Sequence, residues 1–434
     1  MTEKMKPSGI AWIGDIPESW DIGRVKDYYT LQTGFTPDTS VAEYYDDENG
    51  YLWVSIADIN EDKKIYDTKS KISSLYVKEK HPVSSPAESL LYSFKLSVGK
   101  VAFLAKEMFT NEAIASFTNS PNVCLAFLYY SSMFIEENAN RNIYGAKILN
   151  QDLIKNAKIV FPPLIEQRII ADFLDTQCAK IDNVIADIEK QIETLQKYKK
   201  SLITEAVTKG LERSVPMKDS GIEWIGKIPK HWNINKTRYL ASLCSGATPS
   251  KDVYTYWEGN IPWVSSQEVK SDIITDTSLH ISEEAIRSCS TKLMPAGTLV
   301  MVVRSGILQH TIPVALLGVP ATINQDIKAF VFKPEMIPAY YKYYIQGEND
   351  ALLNVLIKDK TTVESIDNNL LLSLRIMVPP IQEQKDIVNY LDERCSKINS
   401  IISDKQAQLD AIIQHKKSLI YEYVTGKKRV TEVN

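Results

Sequence analysis

The chain is short of the residues that catalysts usually display. Five cysteines are scattered through 434 residues without a Cys-x-x-Cys pair, so neither a disulfide framework nor a thiolate metal site is expected. Cys178 and Cys395 fall at matching places in helical patterns and read as buried thiols. The histidines (His81, His231, His280, His310 and His415) lie far apart and make no His-Glu-x-x-His or Cys/His ligand spacing. No Gly-x-x-x-x-Gly-Lys-Ser/Thr phosphate loop, no Gly-x-Gly-x-x-Gly helix opening and no Gly-x-Ser-x-Gly elbow occurs. A run of about 18 apolar residues is missing too. The greasiest stretch, "GTLVMVVRSGILQHTIPVALLGVPA", is broken by Arg304, His310 and glycines and reads as strands and turns. The first residues are polar without a signal-like apolar core, so the cytoplasm is the expected compartment. Nor is there a basic excess: 50 Lys and Arg meet 54 Asp and Glu, for a net charge of −4. Nucleic-acid binding therefore cannot be argued from overall charge.

What the chain does have is repetition. "MKPSGIAWIGDIPESWDI" at Met5–Ile22 returns as "MKDSGIEWIGKIPKHWNI" at Met217–Ile234, with 12 of 18 positions identical. A Gly-x-Thr-Pro turn follows each copy, at Gly34 and Gly246. Next come "YLWVSIADI" and "IPWVSSQEV", which share Trp53/Trp263, Val54/Val264 and Ser55/Ser265 and read as strands. "PAESLLYSF" is echoed by "PAGTLVMVV", and "TNEAI" around Asn111 by "INQDI" around Asn324. The best-matched segment closes each half: from Pro162 to Thr208 and from Pro379 to Thr425, 21 of 47 positions agree. The chain is thus two copies of a mixed α/β module followed by a helical segment, alike at the ends and unlike in the middle.

The closing segments lack glycine and proline and follow a Pro-Pro stop. Leu174, Ile181, Ile188, Leu195 and Leu202 recur every seven residues, with Cys178, Ile185 and Ile192 between them. The second copy sets Leu391, Ile398, Ile412 and Leu419 on the same ladder, with Cys395, Ile402 and Leu409 between and Lys405 as the polar interruption. A seam of period 3.5 in two segments of similar length predicts an intramolecular antiparallel coiled coil. Each helix could reach about 65 Å, with one module at each end of the rod.

Two loose patterns carry little. "VFPPL" and "MVPPI" lack the amide or acid before and the aromatic after that amino-methyltransferases place around Pro-Pro, and they read as strand stops. Pro37-Asp38 followed by Glu61-Asp62-Lys63 fits a metal-nuclease signature, but the second copy has Ser250 where the first has Asp38. The entrance motif, with Trp12, Ile13, Ile16, Pro17 and Trp20 (Trp224, Ile225, Ile228, Pro229 and Trp232 in the second copy), is expected to pack each module onto a helix base. A ligand site would not need to be the same in both copies.

"SGIAWIGDIPESW", the "WVS" strand, the "NEAI/NQDI" element and the "PPLIEQRIIADFLD" and "PPIQEQKDIVNYLD" helix entries resemble the specificity subunit of type I restriction–modification systems, twice and in order. The resemblance implies an α+β fold. Two mixed α/β target-recognition domains, at residues 1–163 and 211–380, would be separated by two long antiparallel helices in a pseudo-two-fold internal repeat. The helical regions would be 164–210 and 381–426, with a tail at 427–434. It implies double-stranded DNA as ligand, each domain reading one half of an asymmetric bipartite site. It also implies two methyltransferase subunits docked on the helices, and motor–nuclease subunits in the full complex. No catalysis is expected here; S-adenosylmethionine, ATP and Mg²⁺ belong to the partners. Base reading falls to the unlike middles: Tyr44, Lys95, Lys100, Lys106 and Asn111 in the first module. In the second, Lys251, Tyr254, Arg304, Gln309, His310, Asn324 and Gln325 are the candidates, and Lys147 and Lys360, just before the helices, are expected phosphate contacts. Arg and Lys suit phosphate or guanine, and Asn and Gln suit adenine. A stand-alone DNA-binding scaffold and a metal-dependent nuclease are the alternatives.

Overall fold

The computed structural model describes residues 4–60, 62–95, 97–118, 120, 123–141, 147–289, 291–357 and 364–430. The chain divides into two compact units, Met1–Ile188 with Gln408–Asn434, and Glu189–Ala407. Each holds one module together with a stretch of both long helices.

In the first unit a five-stranded sheet runs in the order Thr30–Thr33, Ile114–Thr118, Leu90–Ser93, Val101–Leu104, Lys64–Ile65. All pairs are antiparallel except the last. Both faces are covered, which is why "LLYS" reads as a continuous apolar strand rather than an alternating one. Leu90, Tyr92, Phe103 and Phe117 turn to the core under Leu125–Ser131. Leu91, Ala102, Leu104 and Ile114 turn to Val54 and Ile59 beside the smaller sheet. That smaller sheet is ordered Phe109–Thr110, Tyr51–Val54, Ser70–Ile72.

The second unit repeats this topology. Its larger sheet runs Ala241–Ser245, Ile327–Phe332, Leu299–Val302, Val314–Leu317, Ile273–Ile274, and its smaller one His280–Ile281, Ile261–Val264, Thr322–Ile323. Leu90 pairs with Phe103, and Leu299 with Leu316, so the two hairpins keep the same register.

The long helices are Leu164–Lys209 and Ile381–Val424. Proline pairs precede them, and Gly210 and Gly426 follow with φ of +75° and +72°, the left-handed conformation that ends a helix readily only at glycine. Within the first unit the two helices pack antiparallel: Phe173 meets Tyr423 with rings 4.5 Å apart, and Asp182 meets Lys416 at 2.5 Å. In the second unit Lys199 donates to Asn399 at 2.9 Å, while Ile203 and Ala206 share a core with Leu391 and Cys395. Leu174, Cys178, Ile188, Leu391, Cys395, Ile398 and Leu409 are buried. Ile181, Ile185, Ile192, Leu195, Leu202, Ile402, Lys405, Ile412 and Leu419 are half-buried.

The entrance motif seats each module on its helices. Ile13, Ile16 and Trp20 pack with Ile170, Leu174, Ile420 and Val424, and Ile225, Ile228 and Trp232 join the core that holds Val207 and Ile387. Trp20 and Trp232 are fully buried, and each indole Nε1 donates to the helix-entry glutamate, to Glu166 at 2.7 Å and Glu383 at 3.0 Å. The adjacent glutamine staples the strand end: Gln167 accepts from Cys124 N and donates to Pro162 O, and Gln384 accepts from Ile337 N and donates to Pro379 O. One expected plug residue differs. Trp12 stacks on Phe134 at 5.0 Å, whereas Trp224 is 40% exposed. Counting from the equivalent Tyr130 and Tyr343, Phe134 is replaced by Gly347, which lies against the Thr204 backbone, so the ring that covers Trp12 has no counterpart at that position in the second unit.

Candidate nucleic-acid interface

Three loops meet on each module, and two of them are built to one plan. The Gly-x-Thr-Pro turn lies so close to the end of the Phe109–Thr110 strand that a Cβ on Gly34 would sit 1.7 Å from Thr110 O. A Cβ on Gly246 would meet Ile323 O at the same distance. The next amide, Phe35 or Ala247, donates to that same carbonyl. The indole of the "WVS" strand locks the turn from below: Trp53 Nε1 donates to Phe35 O at 2.9 Å, and Trp263 Nε1 to Ala247 O at 3.0 Å. Across from it, Asn111 Oδ1 accepts from Ala113 N at 2.8 Å, and Asn324 Oδ1 from Asp326 N at 3.0 Å. These are Asx turns, in which the side chain fixes its own loop. Both asparagines were DNA candidates; their oxygens brace the turn, and Asn324 is buried.

The position after each asparagine faces outward. Glu112 accepts from the Thr36 hydroxyl, which in turn accepts from Asn111 Nδ2 at 2.7 Å. Gln325 Oε1 accepts from the Thr248 hydroxyl at 2.6 Å. Both side chains are exposed. Glu112 escaped the sequence reading, although "TNEAI" set against "INQDI" displays the acid-for-amide change.

The third loop is the hairpin between the paired sheet strands, residues 94–100 in the first module and the longer 303–313 in the second. Strand register makes Lys95 and Arg304 equivalent, and both are exposed. The hairpin is tied to the asparagine turn by Phe94 N donating to Ala113 O and Val303 N donating to Asp326 O. A cation and an exposed acid or amide therefore stand on adjoining loops in both modules.

The remaining candidates divide. Lys106 and Lys251 are exposed. Lys100 donates to Ile59 O at 3.1 Å, and Gln309 to Glu364 at 3.2 Å. His310 is exposed at the end of the short turn Gly306–Gln309. Tyr44 and Tyr254 do not correspond, because Tyr44 ends the turn Ala42–Tyr44 while Tyr254 begins the turn Tyr254–Tyr256. Tyr44 is half-buried on Tyr76 and donates to Glu79, which raises its hydroxyl pKa; Tyr254 is 80% exposed. The side chain of Lys147, and Lys360 altogether, lie outside the described residues.

A second set of contacts, also unforeseen, ties each module to its helix through a tyrosine and an aspartate, beside an ion pair whose arrangement differs between the two copies. In the first unit Lys63 pairs with Asp175 of the long helix, beneath Tyr129 and Tyr130, and Tyr130 donates to the same carboxylate. In the second, Asp272 stands in Lys63's place and Lys342 in that of Tyr129, 3.3 Å apart, while Tyr343 donates to Asp392. Burial pulls the Asp272 pKa up, but Lys342, Gln346 and Lys199 outweigh it and hold the carboxyl below its ordinary value.

Residues 17–194 and 229–411 match the model of the type I restriction modification DNA specificity domain. The chain belongs to that family. It is 26% identical over 431 residues to the type I restriction enzyme MjaVIII specificity subunit of Methanocaldococcus jannaschii, covering 96% of this chain and 95% of that one. It is 36% identical over 193 residues to the EcoR124I/EcoR124II specificity subunit of Escherichia coli, a match spanning 44% of this chain and 45% of that subunit. A chain from a solved structure concerned with complex assembly and conformational transition of the type I R-M system superposes with a TM-score of 0.70 at 16% identity, over 95% of this chain and 99% of that one, which shows the fold.

Against the specificity fold, the loose nuclease pattern has other work. Asp38 accepts from the Ser40 amide and hydroxyl, which lowers its pKa, and Lys63 is engaged by Asp175. Glu61 lies outside the described residues. Among the described residues no group of three or more His, Cys, Asp or Glu could hold a metal ion, and no helix is long and apolar enough to cross a membrane.

Proposed function

We propose that the chain is the non-catalytic sequence-reading subunit of a type I restriction–modification complex. The modules at residues 1–163 and 211–380 each read one half of an asymmetric bipartite DNA site. The helical regions at 164–210 and 381–426 set the unspecified spacer and dock two methyltransferase subunits, and motor–nuclease subunits join the larger assembly. S-adenosylmethionine, ATP and Mg²⁺ act on those partners.

The observation that carries this reading is one scaffold built twice under unlike loops. The braced turns, the tryptophan locks and the sheet register repeat, whereas the hairpins differ in length and the outward side chains in chemistry. A symmetric dimer of one reader is restricted to palindromes, and two diverged readers in one chain are not. Nearly equivalent helical surfaces give two copies of one partner equivalent seats. Val184 and Ile401 hold matching outward places on the two helices, each 46% exposed, and are the apolar residues we assign to that docking.

Co-purification with a co-expressed type I methyltransferase subunit from the same genome tests the assembly. Native mass measurement is expected to give two methyltransferase subunits per chain, and Val184→Asp with Ile401→Asp to lower that ratio. A chain that binds no methyltransferase, and cuts DNA alone with Mg²⁺, would overturn the reading.

A further inference from the structure

We propose that one equivalent position in each module is a base-reading residue, Glu112 in the first and Gln325 in the second, with Lys95 and Arg304 as the phosphate anchors beside them. This rests on the DNA-specificity reading above and names which side chains carry it.

The geometry supplies what a base reader needs. Its loop must be rigid, and here the Asx turn, the indole lock and the close-packed glycine fix it in the same way twice. The reading side chain must be exposed yet oriented. Thr36 takes up one oxygen of Glu112 and leaves the other, while Thr248 takes one lone pair of the Gln325 carbonyl and leaves the second. Gln325 Nε2 donates to Asp326 at 3.4 Å, which is long for a hydrogen bond, and a carboxamide nitrogen carries a second proton beside that one. An anion near DNA also needs a neighbouring cation, and the hairpin bonded to this turn carries Lys95 or Arg304 at one register position in both modules.

The chemistry of the two readers then differs as two half-sites require. A carboxylate only accepts and suits the cytosine N4 amino group; a carboxamide both donates and accepts and suits adenine N6 and N7. The first module is therefore assigned a C·G pair at the position Glu112 faces, and the second an A·T pair at the position Gln325 faces. The lysine and arginine contribute affinity without sequence preference.

The test uses the full chain with its methyltransferase subunits and S-adenosylmethionine on a duplex library randomised across both half-sites, read out as methylation per sequence. Glu112→Gln is expected to shift preference at one base pair of the first half-site from C·G towards A·T, by roughly tenfold or more, and Gln325→Glu to do the converse in the second. Lys95→Ala is expected to lower methylation about equally across all sequences. Two results overturn the assignment: both half-sites unchanged in Glu112→Gln and Gln325→Glu, or an even weakening of one half-site without a change at a single base pair. The unaltered half-site of each variant serves as the internal control for folding. If the unsubstituted complex itself yields no bipartite motif, the functional reading fails rather than this assignment.

Discussion

Trp232 and Trp224 stand eight residues apart in one motif and carry very different loads. Trp232 is fully buried and donates to Glu383, so Trp232→Ala is expected to cost about 3–5 kcal/mol in urea unfolding. Trp224, 40% exposed, is expected to cost about 1 kcal/mol or less on the same substitution. Asp272 gives a pH signature. Lys342, Gln346 and Lys199 hold its folded pKa below the unfolded value of about 3.9. The stabilisation is therefore present above that unfolded value and is lost as pH falls through the lower folded pKa. Asp272→Asn is expected to remove this part of the acid dependence, measured as unfolding midpoints from pH 6 down to about pH 2; an unchanged acid limb would contradict the clamp.

The long helices and the matched strands were legible in the sequence because their periods are imposed by burial. A seam of period 3.5 and an apolar run between turn residues can be counted without coordinates. Ile398 is buried where the ladder puts it, and Ile398→Asp is expected to lower the thermal midpoint markedly, whereas Val184→Asp, on the exposed face, is expected to stay within about 0.5 kcal/mol of the parent. The loops were less legible. Asn111 and Asn324 stood out because they repeat, yet repetition here reflects a turn brace, and the outward residue is the one beside them. Tyr44 closes the turn before its "WVS" strand and Tyr254 opens the equivalent turn, so the two tyrosines do not stand at one position. The exchange of Lys63 for Asp272 was hidden because its partners, Asp175 and Lys342, lie far along the chain and on different elements.

Across the whole molecule, recognition is proposed to lie in two separate modules and the spacer to be set by the helices that follow them. Inserting four residues into both helices lengthens each by roughly 6 Å. Since a base pair rises about 3.4 Å, the methylated motif is expected to gain one or two unspecified base pairs while both half-sites stay the same. The most direct measurement is methylome sequencing of cells carrying the chain with its methyltransferase, before and after Met5–Phe161 is exchanged for the corresponding module of another family member. An asymmetric bipartite motif is expected, in which the exchange rewrites one half and leaves the other half intact. A motif in which both halves change together, or one that is not bipartite at all, would contradict it.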